Sequence, residues 1–164
     1  MRMTTTVFTT PDLFERILMI KRSMVFSDVP TDNLRVVANE LKEEGFVAGE
    51  RVFDIHEQGD HMYIIESGAI GISIHPKPAV KDFIAVLGPG ECFGEMGMLD
   101  DLPRSATAHV LEDTRCLMLE KERLHALIIR YPELALGILR SMSLRLREAN
   151  EKIGTTPFKD AKSI

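Results

Sequence analysis

The sequence predicts a mainly β fold with flanking α-helices, and three observations carry that reading. Apolar residues recur at helical spacing over the first 45 residues and again after Glu120. Between these regions, short apolar runs alternate with Gly, Pro and Asp turn signals. With 164 residues, 45% of them hydrophobic, the chain can bury one sizeable core.

Thr10-Pro11-Asp12 reads as a helix start, with Thr10 as the cap and Pro11 at the first helical position. Leu13, Phe14, Ile17, Leu18 and Ile20 continue the helix to about Met24. Phe26–Pro30 breaks the pattern, and Thr31 is expected to cap a second helix with Leu34, Val37, Ala38 and Leu41 on one face. Lys42-Glu43-Glu44-Gly45 is expected to end it. Strand candidates follow at Arg51–Ile55, Met62–Glu66, Ala69–His75, Asp82–Leu87, Glu91–Phe93, Thr107–Leu111 and Cys116–Glu120. They are separated by turn signals such as Gln58-Gly59-Asp60, Ser67-Gly68, Pro76-Lys77-Pro78 and Gly88-Pro89-Gly90. Many short, evenly spaced strands point to an antiparallel barrel or jelly roll. Helical spacing returns with Leu124, Leu127, Ile128 and Ile129, and stops at Tyr131-Pro132. A last helix is expected from Glu133 to Ile153, ended by Gly154 and followed by a polar tail over 154–164.

Composition narrows the function classes. The net charge of −5 argues against broad nucleic-acid binding but leaves room for a small anionic ligand. No apolar run approaches the roughly 18–20 residues that span a bilayer. The start lacks a secretory pattern, so the cytoplasm is the expected compartment. Cys92 and Cys116 sit among apolar residues and make neither a disulfide framework nor a zinc cluster. The five histidines contain no His-X-His pair, and no Gly-X-Ser-X-Gly elbow or other nucleophile with a nearby base is evident. No metal site and no enzyme activity are therefore expected.

One stretch carries chemistry. In Phe93-Gly94-Glu95-Met96-Gly97 two glycines bracket a glutamate, and Pro103-Arg104-Ser105-Ala106-Thr107 follows. Glycine lets a ligand approach the backbone closely, and a short helical turn opening near Gly94–Glu95 would direct free N–H groups outward. Arg104 offers a planar fork of donors to two anionic oxygens. Glu95 can accept from a sugar hydroxyl. Together these groups suit a small sugar phosphate.

The stretch closely resembles the phosphate-binding cassette of cyclic-nucleotide-binding domains, F-G-E-[LM]-[AG]-L, a spacer, then P-R-[ASTG]-A-[TS]. Phe93, Gly94, Glu95, Gly97, Pro103, Arg104, Ala106 and Thr107 fit it, as does the ten-residue step from Gly94 to Arg104. The likeness extends over roughly Phe26 to Ile153. It implies an N-terminal helical pair over 11–45, an eight-stranded antiparallel β-roll (jelly-roll-like) over 46–120 with the cassette at 93–107, and hinge and lid helices over 121–153. It implies a single ligand-sensing domain whose ligand is cAMP or cGMP, with no further cofactor. Arg104 would hold the cyclic phosphate, helped by Ser105 and the backbone of Phe93, Gly94, Met96, Gly97 and Ala106, while Glu95 would take the ribose 2′-hydroxyl. Ile70, Ile84 and Ala85 fall on the wall expected to face the base, although plain core packing serves each of them equally. Serine at position 105 does not settle the base, and cAMP is favoured.

The last helix is expected to close over the pocket. By match to the bacterial catabolite-activator branch, Ala149 and Asn150 occupy positions where that branch carries two hydroxyl residues. Asn150 can pair with a purine edge and Ala149 cannot. Arg145 can stack on or bond the base, or belong to a solvated face with Arg140 and Arg147. Ala135, Leu139, Met142, Leu146, Ala149 and Ile153 recur in alternating steps of four and three, a seam that suits a homodimer or packing on the roll. Two alternatives stand beside the sensor reading: a protein-interaction module that has lost nucleotide binding, and the ligand-sensing fragment of a larger transcription regulator. Ten residues after Gly154 hold no recognition-helix pattern, so the chain by itself is not expected to read DNA.

Overall fold

The computed structural model describes residues 11–75 and 82–154. The Thr10 cap, the Pro76-Lys77-Pro78 turn and the tail from Thr155 lie outside these residues. Helix α1 (Leu13–Arg22) opens at Asp12, whose carboxylate accepts from the Glu15 amide at 2.8 Å while Glu15 accepts from the Asp12 amide at 3.1 Å. This reciprocal box satisfies two otherwise unpaired donors, so Asp12 caps the helix and Pro11 precedes it. Helix α2 (Thr31–Glu40) starts one residue earlier than expected: Pro30 holds the cap position and Thr31 is the first helical residue.

Lys42–Gly45 does not end α2. It belongs to strand β1 (Lys42–Phe46), which pairs antiparallel with β6 (Thr107–Glu120) from Lys42–Met118 to Phe46–Thr114. Four of its five residues are exposed, so its charges face water and give no apolar alternation to read. The remaining strands are β2 (Arg51–Phe53), β3 (His61–Ser73), β4 (Ala85–Leu87) and β5 (Cys92–Phe93). The described residues thus hold six antiparallel strands where eight were expected. Two pairs of expected strands are continuous: Met62–Glu66 joins Ala69–His75 in β3, and Thr107–Leu111 joins Cys116–Glu120 in β6.

The long β3–β6 pair bends instead of breaking. Its register slips between Ile65 and Ile70. Gly68 adopts φ +99° there, and a side chain at that position would meet Thr114 Oγ1 at 2.3 Å. The slip also reverses the face of β3. Side chains alternate along a strand, so Tyr63 and Ile65 point into the roll while Met62 and Ile64 point to the helices. Past the slip, Ile70 and Ile72 face inward, and Gly71 lies under the Phe83 ring.

Two cores result, one on each face of the same strand pair. Met62, Ile64, Leu117 and Leu119 pack on Ile20, Phe26, Leu34 and Val37 from the N-terminal helices and on Leu124, Leu134 and Ile138. Tyr63, Ile65, Ile70, Phe93, Ala108, Val110 and Cys116 fill the roll. The C-terminal helices are α4 (Lys121–Arg130) and α5 (Glu133–Gly154), and a short α3 (Met96–Asp100) lies between β5 and β6. No described helix is long and apolar enough to cross a membrane.

The first half of α5 is docked tightly on the α1–α2 connection. Ser141 Oγ accepts from the Asp28 amide at 3.3 Å, and a Cβ on Gly137 would lie 2.5 Å from Val29 Cγ2 and 3.0 Å from its Cα. Gly137→Ala is therefore expected to destabilise the protein by about 1–3 kcal/mol through overpacking, although alanine favours a helix by about 1 kcal/mol. Urea unfolding measures this, and Val29→Ala should recover part of the loss by removing Cγ2. A stabilised Gly137→Ala variant would show that the helix is free to move away.

Candidate functional site

Arg104 occupies the end of a cleft of about 470 Å³ between the roll and α5. The chain enters it from a fixed backbone: the Arg104 amide donates to Glu57 O at 2.7 Å, and its carbonyl accepts from His56 N at 2.9 Å. His56 makes this clamp with φ +72°, a left-handed conformation that costs a non-glycine residue energy. One residue pair further out, Thr107 Oγ1 accepts from the Ile55 amide at 2.9 Å.

Arg104 is only 6% exposed. Nη1 donates to Gly94 O and Nη2 to His61 O, both at 2.8 Å. The guanidinium carbon sits 4.0 Å from the centre of the Phe53 ring, which leans on Phe93 and Tyr63. Nε is buried without a partner. Burial pulls the Arg104 pKa down from its usual value, and Tyr63, Asp60, Glu57 and Glu95 act against that shift. Arginine nevertheless remains a cation in proteins, so this is a buried positive charge at the end of a cleft.

Glycines make the space around it. Gly94 turns the chain with φ +78°, and a side chain there would meet Arg104 Nη1 at 2.8 Å. Glu95 follows, 7% exposed, at the start of α3. Its Oε1 accepts from Arg145 Nη1 at 2.9 Å. Arg145 thus belongs to the cleft and not to a solvated face, and it ties the second half of α5 to the cassette.

The cleft brings together most of the residues singled out by the motif. Phe93, Gly94, Glu95, Met96, Gly97, Arg104, Ser105, Ala106 and Arg145 line it, as do Ile84 and Ala85 at the β4 edge. Ser105 Oγ lies 3.6 Å from Met96 Sδ, inside the cleft. Two residues fall elsewhere. Ile70 is fully buried in the roll core, beneath the lining, whereas Ile72 and Leu87 reach the cleft from the same strand pair. Asn150 is exposed and does not line the cleft. It follows Arg145 by five residues, about 7.5 Å along the helix and about 140° around it.

Phe53, Ile72, Leu87 and Cys92 also line the cleft, and nothing in the motif marks them. Inward alternation on β3 and β4 is the signal that finds Ile72 and Leu87. Cys92 is neutral, since burial first and Glu95 second push its thiol up to about 12. The lining is otherwise apolar, with charge confined to Arg104, Glu95 and Arg145. Such a cleft suits a ligand with a flat apolar part and one anionic end.

The floor of this site is joined to α4. Met98 of α3 is buried in the helical core, and its carbonyl lies 3.1 Å from His125 Nε2 of α4. Lys121 Nζ donates to Gly97 O at 3.0 Å and pairs with Asp101, holding that carboxyl below its usual pKa.

Residues 43–131 match the profile of the family described as Cyclic nucleotide-binding domain. The chain is 28% identical over 142 residues to a CRP-like cAMP-activated global transcriptional regulator of Mycobacterium tuberculosis, covering 87% of this chain and 63% of that protein. It is 31% identical over 144 residues to the cyclic AMP receptor protein of Thermus thermophilus, covering 88% of this chain and 67% of that one. The chain therefore spans about two thirds of the length of these relatives. Among solved structures, the N-terminal domain of a transcriptional regulator from Streptomyces coelicolor superposes with a TM-score of 0.70 at 26% identity, covering 81% of this chain and 95% of that domain.

Arg145→Ala tests the tie between α5 and the cassette. It leaves Glu95 Oε1 without its partner, and since the Arg145 side chain is 37% exposed the loss is expected to be small, about 1 kcal/mol. Amide hydrogen exchange should rise in the second half of α5 and stay unchanged in its first half. Equal exchange in variant and parent protein would mean that the bridge does not hold the helix.

Proposed function

This chain belongs to the cyclic nucleotide-binding domain family, and from that premise we propose that it is a cAMP sensor in which the cleft around Arg104 takes the cyclic phosphate. The single observation that carries this reading is a buried guanidinium set at the end of an apolar cleft, walled by glycines and faced by Glu95. The unspent N–H groups of Nη1 and Nη2 would meet two phosphate oxygens. Ser105 would add its hydroxyl, and the Gly94–Gly97 backbone would close around the ring. Glu95 would accept the ribose 2′-hydroxyl. Ile72, Ile84, Ala85 and Leu87 would form the apolar wall against the base, with Arg145 on the opposite side.

Glu95 gives the site its output. Its carboxylate holds Arg145, so a ribose hydroxyl on the same carboxylate would change what α5 is held by. α3 is tied to α4 through Met98, Gly97 and Asp101, which supplies a second link from the cassette to the C-terminal helices. A ligand moves these helices only by binding one arrangement better than the other. The exposed Leu139, Leu146 and Ile153 lie at seven-residue intervals on α5, a spacing that supports pairing with a second copy.

Calorimetric titration with cAMP and with cGMP, on protein freed of co-purified nucleotide, tests the reading. Saturable micromolar or tighter binding is expected, with cAMP the tighter. Arg104→Ala should weaken it at least tenfold, since a charge-assisted pair contributes about 1.5–3 kcal/mol. No binding of either nucleotide would overturn the sensor and favour an interaction module.

A further inference from the structure

Gly59 stands in the connection between β2 and β3, and its backbone does not need glycine. Unlike Gly49, Gly68, Gly90 and Gly94, it has no positive φ. What excludes a side chain there is Arg104. A Cβ on Gly59 would lie 2.1 Å from Arg104 Nε, 2.2 Å from Cζ and 2.7 Å from Cδ. The Gly59 carbonyl in turn would sit 3.2 Å from a Cβ on Gly97, so the two glycines also close on one another. The Phe53 ring lies 4.0 Å from the guanidinium carbon, and Gly94 O and His61 O take one N–H from each Nη.

We propose that Gly59 is a positioning residue for anion binding, which seats Arg104 so that its Nη1–Nη2 end, and not its Nε edge, is the edge offered to the ligand. This rests on the sensor reading for the identity of the anion. The seating itself is set by the chain's own residues. The Nε edge is turned to Gly59 and buried without a partner. The Nη end keeps two N–H groups beyond those given to the carbonyls. A phosphate would therefore be met end-on by the terminal nitrogens.

The atoms in the way of a new Cβ are side-chain atoms, so the relief open to Gly59→Ala is to displace Arg104 and leave the fold in place. The test is a double-mutant cycle on the full chain with Gly59→Ala, Arg104→Ala and the pair, read by cAMP affinity and by urea unfolding. Gly59→Ala is expected to weaken cAMP at least tenfold, and the pair should bind no more weakly than Arg104→Ala alone. If Gly59→Ala is strongly destabilised, Arg104→Ala on top of it should restore stability. Additive effects in affinity, or a destabilisation that Arg104→Ala does not relieve, would overturn the proposal. The Arg104 Nε–H resonance of ligand-free protein gives a readout that needs no nucleotide. It should move and exchange faster in Gly59→Ala, and an unchanged resonance would overturn the seating. Parent protein that binds no nucleotide would remove the sensor reading, and the resonance would still decide the role of Gly59.

Discussion

A guanidinium almost wholly removed from water must have its charge and its donors met by something fixed. Around Arg104 that demand falls on two carbonyls, an aromatic face and three glycines, which come from three separate stretches of chain. An unpaired buried donor such as Nε costs about 1–3 kcal/mol, which the rest of the fold must offset. The backbone clamp from His56 and Glu57 holds the residue in spite of that cost. A charge maintained in this way would meet an anion with little rearrangement. Preorganisation of this kind reduces the ordering penalty of binding.

The β3–β6 pair makes the arrangement possible. Because both strands are buried on both faces over much of their length, they tie the roll core to the helical core. His61, which opens β3, offers its carbonyl to Arg104, while Met62 beside it packs among the helices. A displacement on one face is therefore felt on the other. The cassette adds its own links, through Met98 into the helical core and through Glu95 to Arg145 on α5. These are discrete contacts that can be made or released, and a two-state response to ligand needs contacts of that kind.

Legibility in the sequence followed locality. The cassette could be read because its parts lie within fifteen residues and its chemistry is spelled in residue types. The helices could be read because burial of one face imposes a 3.6-residue period. Strand β1 could not, since an edge strand with charged side chains has no apolar alternation to show. Met62–Glu66 and Ala69–His75 read as two strands because Ser67-Gly68 looks like a turn, whereas in the fold it bends one continuous strand. That same slip turns Ile70 and Ile72 to the inner face, Ile70 into the roll core and Ile72 one step along the strand at the cleft. Gly59 and Phe53 reach Arg104 only through tertiary structure, so a glycine that reads as a turn residue proves to be a wall. Helix register alone suggests Asn150 for the site, and the helix carries it past the cleft.

The most direct test of the account is a crystal structure of the chain grown with cAMP, measured for the position of the cyclic phosphate relative to Arg104. The account predicts phosphate oxygens within hydrogen-bonding distance of Nη1 and Nη2, with the ribose 2′-hydroxyl at Glu95. A nucleotide bound with its phosphate away from Arg104, or a cleft that remains closed to nucleotide, would contradict it.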